Sequence, residues 1–187
     1  MRLPTGNRKP VIYTIGHSTQ PLETFIQFLR AFSVTLVADV RTVPRSRYNP
    51  QFNRETLPQG LAAAGIGYVH LPGLGGWRKA QPGSRNLGWR SPGFRGYADY
   101  METPEFEQHL QRLLELARNE AVAVMCAEAV PWRCHRSLIS DALLVRGVRV
   151  EHIRGFNKVE PHRLTPFARV EGNRLAYPLE EGETTQD

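Results

Sequence analysis

The sequence predicts an α/β protein, a single three-layer α/β/α sandwich around a mostly parallel, Rossmann-like sheet of five strands. Three observations carry that reading. Short apolar, β-branched runs alternate along the chain with segments whose apolar residues recur at helical spacing. The runs are apolar throughout instead of at every second position, the pattern of strands buried on both faces. A chain of 187 residues, 41% hydrophobic and 22% charged, is also long enough to bury one core without disulfide staples.

Each element follows from local chemistry. Residues 1–10 are polar and read as a flexible leader. Val11 to Ile15 is a buried strand stopped by Gly16. Leu22, Phe25, Ile26, Leu29 and Phe32 then fall on one helical face, with Pro21 where a first turn tolerates it. Val34 to Val40 is the second strand, and Asn53 to Ala64 is helical, weakened by Pro58 and ended by Gly65. Ile66 to Leu71 is the third strand. Pro72 to Gly96 has no periodicity, and so long a connection is usually functional or disordered, which makes it a candidate substrate loop. A short helix is expected at Tyr97 to Met101. Thr103 and Pro104 are N-cap and first-turn residues for a helix reaching about Arg118. Ala121 to Ala127 is the fourth strand, Cys134 to Arg146 the next helix, and Val148 to Ile153 the fifth strand. Residues 11–155 thus form the α/β domain, and 156–187 a C-terminal extension whose end, from Glu180, is expected to be disordered.

The net charge of +6 is localised. Between Arg41 and Gly96 lie nine of the 24 basic residues but one of the 18 acidic ones, Glu55, so the rest of the chain carries a slight acidic excess. The same stretch holds Tyr48, Phe52, Tyr68, Trp77, Trp89 and Phe94. Guanidinium groups grip phosphate and flat rings stack on bases, so this mixture suits a nucleic-acid or nucleotide partner. The other reading is a solvated basic surface with the rings turned into the core. No segment approaches the roughly 20 apolar residues of a membrane span, and the first residues lack the apolar stretch of a signal peptide, so a cytoplasmic protein without a membrane partner is expected. Two cysteines do not make a disulfide framework.

In open parallel sheets the ligand crevice lies beyond the carboxyl ends of the strands, and titratable groups gather there. Gly16, His17 and Ser18 follow the first strand; Asp39, Arg41, Arg45, Ser46 and Arg47 follow the second; Cys126 and Glu128 follow the fourth, ahead of Cys134, His135 and Arg136. Cys134 at a helix N-terminus among cations would favour its thiolate, as nucleophile, redox thiol or metal ligand, and is otherwise a small buried residue. It is not a tyrosine-phosphatase signature, because no Arg stands six residues further on. His17 is a candidate acid or base, or a loop tie. Asp39 and Arg41, two apart on a strand, form a clamp or a structural pair. Glu128 is a candidate acid or base, or an Arg partner. Zinc on Cys126, Cys134, His135 and His17 is conceivable, but the cysteine spacing fits no usual ligand pair, and no cofactor is predicted. Gly75 and Gly76 permit close backbone approach, though no phosphate-loop Lys follows. Trp77, Arg78 and Tyr97 complete the expected substrate-binding set with Ser18, Arg41, Arg45, Ser46, Arg47, His135 and Arg136; the expected catalytic set is His17, Asp39, Glu128 and Cys134.

These motifs together resemble the bacterial domain-of-unknown-function 488 family. The matching pieces are Thr14-Ile15-Gly16-His17-Ser18; Asp39-Val40-Arg41 with Pro44 and Ser46; Gly65-Ile66 with Tyr68; Leu74-Gly75-Gly76; the segment Phe94 to Met101 with Gly96 and Tyr97; and Met125-Cys126-Ala127-Glu128 with Cys134-His135-Arg136. The resemblance covers about residues 11 to 155 in the family's order. It implies a single α/β sandwich domain and implies no reaction, cofactor or catalytic residue. The expected function is an enzyme acting on nucleic acid or a nucleotide, with phosphates on an Arg-rich lip and chemistry at the strand ends. Competing expectations are a non-catalytic nucleic-acid-binding module and a thiol- or metal-dependent enzyme on a small acidic substrate. The oligomeric state is not legible.

Overall fold

The computed structural model describes residues 10–179. Strands β1 (Val11–Gly16), β2 (Leu36–Asp39), β3 (Gly67–His70), β4 (Val122–Cys126) and β5 (Arg149–Gly155) run parallel, and β6 (Lys158–Pro161) joins antiparallel at the edge, in the order β3-β2-β4-β1-β5-β6. The sheet therefore has six strands where the sequence predicts five. The sixth was hidden because β6 is an edge strand, exposed at Lys158, Glu160 and Pro161, and carries no apolar run. A separate hairpin pairs β7 (Arg169–Glu171) with β8 (Arg174–Ala176). The leader up to residue 9 and the end from residue 180, both expected to be loose, lie outside the described residues.

Helices cover both faces. On one, Phe25 and Leu29 of α1 (Leu22–Ala31) and Leu57 and Leu61 of α2 (Leu57–Ala63) pack against Ile15, Val37, Ala123 and Met125. On the other, α3 (Pro92–Met101), α4 (Pro104–Leu116) and α5 (Arg136–Val145) bring Tyr97, Leu110, Leu113, Leu138 and Leu143 against Ile12, Ala38, Val122 and Val124. Leu110, Leu113, Leu138 and Leu143 have no exposed surface, and each such burial is worth about 2 kcal/mol of transfer free energy. Strand β4 shows why the apolar run is continuous: Val122, Val124 and Cys126 point to one layer, Ala123 and Met125 to the other.

Several boundaries move for identifiable reasons. Pro58 sits in the first turn of α2, where a missing N–H is harmless, so the helix starts at Leu57 instead of Asn53. Helix α3 begins at Pro92, ahead of the predicted Tyr97, because Ser91-Pro92 is a helix start whose signal Gly93 and Gly96 dilute. Helix α5 begins at Arg136; the 3-10 turn Pro131–Arg133 and an extended Cys134 (φ −133°, ψ 148°) precede it.

The loop before α3 stays irregular because that helix satisfies it. Tyr97 and Tyr100 donate to the carbonyls of Leu74 (2.8 Å) and Gly73 (2.7 Å), and Asp99 accepts from Gln81 N–H, Ser84 Oγ and Asn86 Nδ2. Strand connections complete the frame: β1 leads towards β2 on one side, and its neighbour β4 leads to β5 on the other. The crevice at the ends of β1 and β4 is thus the sheet's topological switch point.

Candidate functional site

At that switch point the loops after β1 and β4 are sewn together. His17 N–H donates to the Cys126 carbonyl and Ser18 N–H to that of Ala127, each at 2.9 Å. Gly16 permits the approach, since a Cβ there would stand 1.9 Å from the Glu128 carbonyl oxygen. A cavity of about 390 Å³ opens above the strand ends, with Arg41, Trp77, Phe94, Cys126, Glu128, Arg133, Cys134 and His135 in its lining. That volume lies in the range of small-ligand sites.

One wall is built from β2. The Arg41 guanidinium clamps Asp39 through Nε (2.9 Å) and Nη2 (2.7 Å), and Nη2 also donates to the Phe52 carbonyl (2.7 Å). Asp39, fully buried, accepts further from Arg41 N–H (3.0 Å) and Tyr68 OH (2.8 Å). Arg41 Nη1 reaches His17 Nε2 at 3.1 Å. Because guanidinium only donates, Nε2 must accept, so the proton sits on Nδ1 and is given to the Ser18 carbonyl at 2.7 Å. His17 is therefore neutral and stacked on Phe52, with ring centroids 4.2 Å apart. Burial lowers its pKa to about 4, and the Arg41 charge adds to the effect.

The floor is built from β4 and the start of α5. The sulfurs of Cys126 and Cys134 lie 2.8 Å apart as free thiols, 3% and 7% exposed. Arg136, 1% exposed, donates Nε to Cys126 Sγ (3.0 Å), Nη1 to Thr14 Oγ1 (3.1 Å) and Nη2 to the Glu128 carbonyl, while its backbone N–H points to Cys134 Sγ (3.5 Å). Among the described residues no carboxylate pairs with Arg136. A buried guanidinium needs a counter-charge, and the sulfurs are the acidic groups it touches. The hydrogen bond from Cys126, helped by His135 and Arg136, holds the Cys134 thiol well below the ordinary range, and burial pushes Cys126 up. A negative charge on the pair is therefore favoured on Cys134, next to the positive end of α5, over Cys126.

Behind the floor a chain of hydrogen bonds leads away. Thr14 Oγ1, which accepts from Arg136, is hydrogen-bonded to His152 Nδ1 (2.7 Å); His152 Nε2 is hydrogen-bonded to His162 Nδ1 (3.0 Å), and His162 Nε2 donates to Asp141 Oδ1 (2.7 Å). Thr165 (2.6 Å) and Tyr177 (2.9 Å) hydroxyls close the other carboxylate oxygen. Burial lowers the His152 pKa to about 3, in keeping with a neutral ring. Sequence reading missed this chain, because its members are far apart along the polypeptide and carry no motif.

The expected site residues separate into groups. Arg41, Gly76, Trp77, Cys126, Glu128, Cys134 and His135 line one cavity. Asp39, His17 and Arg136 stand directly behind it as partners of lining residues. Glu128 is exposed and accepts from Val130 N–H (3.1 Å), so it is no desolvated acid. Gly76 lies against the His135 ring, where a Cβ would meet Nδ1 at 2.5 Å, while the Gly75 Cβ would meet Thr42. Tyr97 is fully buried, and Arg78 lies over the Tyr100 ring (3.5 Å) while donating to the Gly73 and Gly75 carbonyls, so both build the loop. Ser46 shapes its own turn with Asn49 and Asn53, and Arg45 and Arg47 are exposed outside the lining. The basic stretch is thus not one lip: Arg41, Arg85 and Arg95 are engaged with Asp39, Glu102 and the Trp89 carbonyl.

Metal chemistry has little to stand on in this geometry. Two thiolates on one tetrahedral zinc sit roughly 3.8 Å apart, well beyond this sulfur separation, and His17 is turned to Arg41. Among the described residues no three His, Cys, Asp or Glu side chains are grouped to hold one ion. No helix among them is long and apolar enough to cross a membrane.

Fold and site together define a parallel-sheet α/β sandwich with a buried pair of free cysteines beside an arginine at its switch point. The family model described as domain of unknown function DUF488 matches residues 21–143, and the chain belongs to that family. The match leaves Thr14 to Ser18 outside its span but includes both cysteines. No curated protein and no solved structure matches the chain.

Proposed function

We propose that this protein is a thiol-dependent enzyme acting on a small anionic substrate, with Cys134 as the reacting nucleophile. The observation that carries the reading is the buried Arg136, which has no carboxylate partner among the described residues and touches two sulfurs 2.8 Å apart on a cavity floor. Arg133 at the rim and the remaining Nη1 hydrogen of Arg41 supply positive charge for the substrate, and Trp77 and Phe94 a flat wall. In the reaction the Cys134 thiolate, held by Arg136, attacks an electrophilic centre of the substrate; the bond to the leaving group breaks, and the negative charge departs on that group past Arg133 and Arg41 at the cavity.

Alkylation by iodoacetamide, followed by mass spectrometry from about pH 5 to 9, tests the thiolate. Cys134 should reach half its maximal rate well below the ordinary thiol range near 8.5. A profile matching a free thiol overturns the reading.

A second reading rests on separate residues. Trp77 is 78% exposed, and Tyr48, Arg45, Arg47 and Arg54 are exposed as well. These suit a nucleic acid laid across the entrance, with the cavity receiving a terminal nucleotide. Retention of a short single-stranded oligonucleotide at two salt concentrations decides it, since phosphate contacts weaken steeply with salt; no binding at low salt removes it.

A further inference from the structure

We propose that Cys126 and Cys134 act as one dithiol couple, Cys134 attacking and Cys126 resolving, which makes the site a two-electron reductase of small disulfides bearing carboxylate groups. The proposal rests on the thiolate reading above and adds the second sulfur, the substrate class and the fate of the electrons. Its ground is geometric. The two free sulfurs stand 2.8 Å apart, so less than an ångström of movement separates them from a bond of about 2.05 Å. Cys126 ends β4 and Cys134 is the extended residue ahead of the His135 cap of α5; both line the cavity, and Cys134, 7% exposed against 3%, is the more accessible to a substrate.

The steps balance. Cys134 thiolate attacks one sulfur of the substrate disulfide R–S–S–R′, forming a mixed disulfide and releasing R′S⁻. That thiolate takes the Cys126 proton. Cys126, now a thiolate beside Arg136 Nε, attacks Cys134 Sγ and expels RS⁻. Two protein thiols are oxidised to one disulfide, and one substrate disulfide is reduced to a thiol and a thiolate. Two equivalents of a small thiol regenerate the pair and leave as their own disulfide.

Charge sets the direction. The groups facing the pair are Arg136 and His135 from the start of α5, Arg133 from the preceding turn, Arg41 from the loop after β2, Glu128 after β4 and Tyr97 of α3. In the dithiol state one thiolate balances Arg136; in the disulfide state neither sulfur is charged, and the guanidinium is left buried without an anion. The reduced form is therefore the stabilised one, so the pair gives its electrons only to a strongly oxidising disulfide such as an activated aromatic one, and its own disulfide is readily reduced again by small thiols. Carboxylates on the substrate meet Arg133 and Arg41 at the cavity.

The probe is 5,5′-dithiobis(2-nitrobenzoate), an aromatic disulfide with two carboxylates, mixed anaerobically with the intact protein. Thionitrobenzoate release is read by absorbance and the product by intact mass. The expected wild-type result is two thionitrobenzoates released and a protein lighter by two hydrogens, with no adduct. Cys126→Ser should release one and retain one on residue 134. Wild-type protein that keeps an adduct on each cysteine overturns the couple while leaving a reactive Cys134 standing. Protein that reacts at neither residue overturns the couple and the thiolate reading together.

Discussion

Arg41 and Arg136 stand in matching places, one just past β2 and one just past the turn after β4, and both are buried, at 8% and 1% exposure. Their counter-charges differ. Arg41 grips a carboxylate, which has no redox chemistry, whereas Arg136 meets sulfurs whose charge can be gained, lost or converted to a disulfide. A fixed anion makes a structural clamp. A titratable, oxidisable anion makes a site, because the protein's electrostatic need for that anion is then tied to its chemistry.

The largest expected effect separates the two arginines by stability. Arg41→Met strands the Asp39 carboxylate in the core and should cost about 3–5 kcal/mol in urea unfolding. Arg136→Met lets the thiolate take a proton and should cost clearly less, while moving Cys134 alkylation towards the ordinary thiol range. Equal losses for the two variants would break the contrast.

Next comes pH. His17 and His152 have folded pKa values of about 4 and about 3, below the unfolded value of 6.5, so the unfolded chain binds more protons as the pH falls below 6.5. Their stabilisation is complete above that value and is lost on acidification towards the folded values. Unfolding free energy should drop by about 2 kcal/mol per histidine between neutral pH and about pH 5, and His17→Gln should flatten the profile. A profile unchanged in that variant would mean that burial beside Arg41 does not hold His17 neutral. The smallest effect is Tyr68→Phe, which removes one of the donors to Asp39 and should cost about 1 kcal/mol, leaving thiol reactivity at wild-type values.

Much of this was legible beforehand. The parallel strands show in continuous apolar runs such as Val122 to Met125, because burial on both faces leaves no alternation. Position alone, after a strand and near a helix start, singles out Cys134 and Arg136 in the sequence. What stayed hidden had no local signature. Strand β6 is held by its partner and not by its own hydrophobicity, Tyr97 is turned inward by α3, and within the basic stretch Arg41 is buried and the half-buried Arg78 is spent on backbone carbonyls, none of which has a local signature. The Thr14, His152, His162 and Asp141 chain exists only in three dimensions.

That chain has a temporal consequence. Asp141, its terminal acceptor, takes hydrogen bonds from Thr165 and Tyr177, residues that leave the ribosome long after both cysteines. Until they arrive, the carboxylate lacks those partners, and the histidines that orient Thr14 and Arg136 lack a fixed terminus. A growing chain thus holds its sulfurs and its guanidinium early but completes their arrangement late, once Thr165 and Tyr177 have folded back onto Asp141.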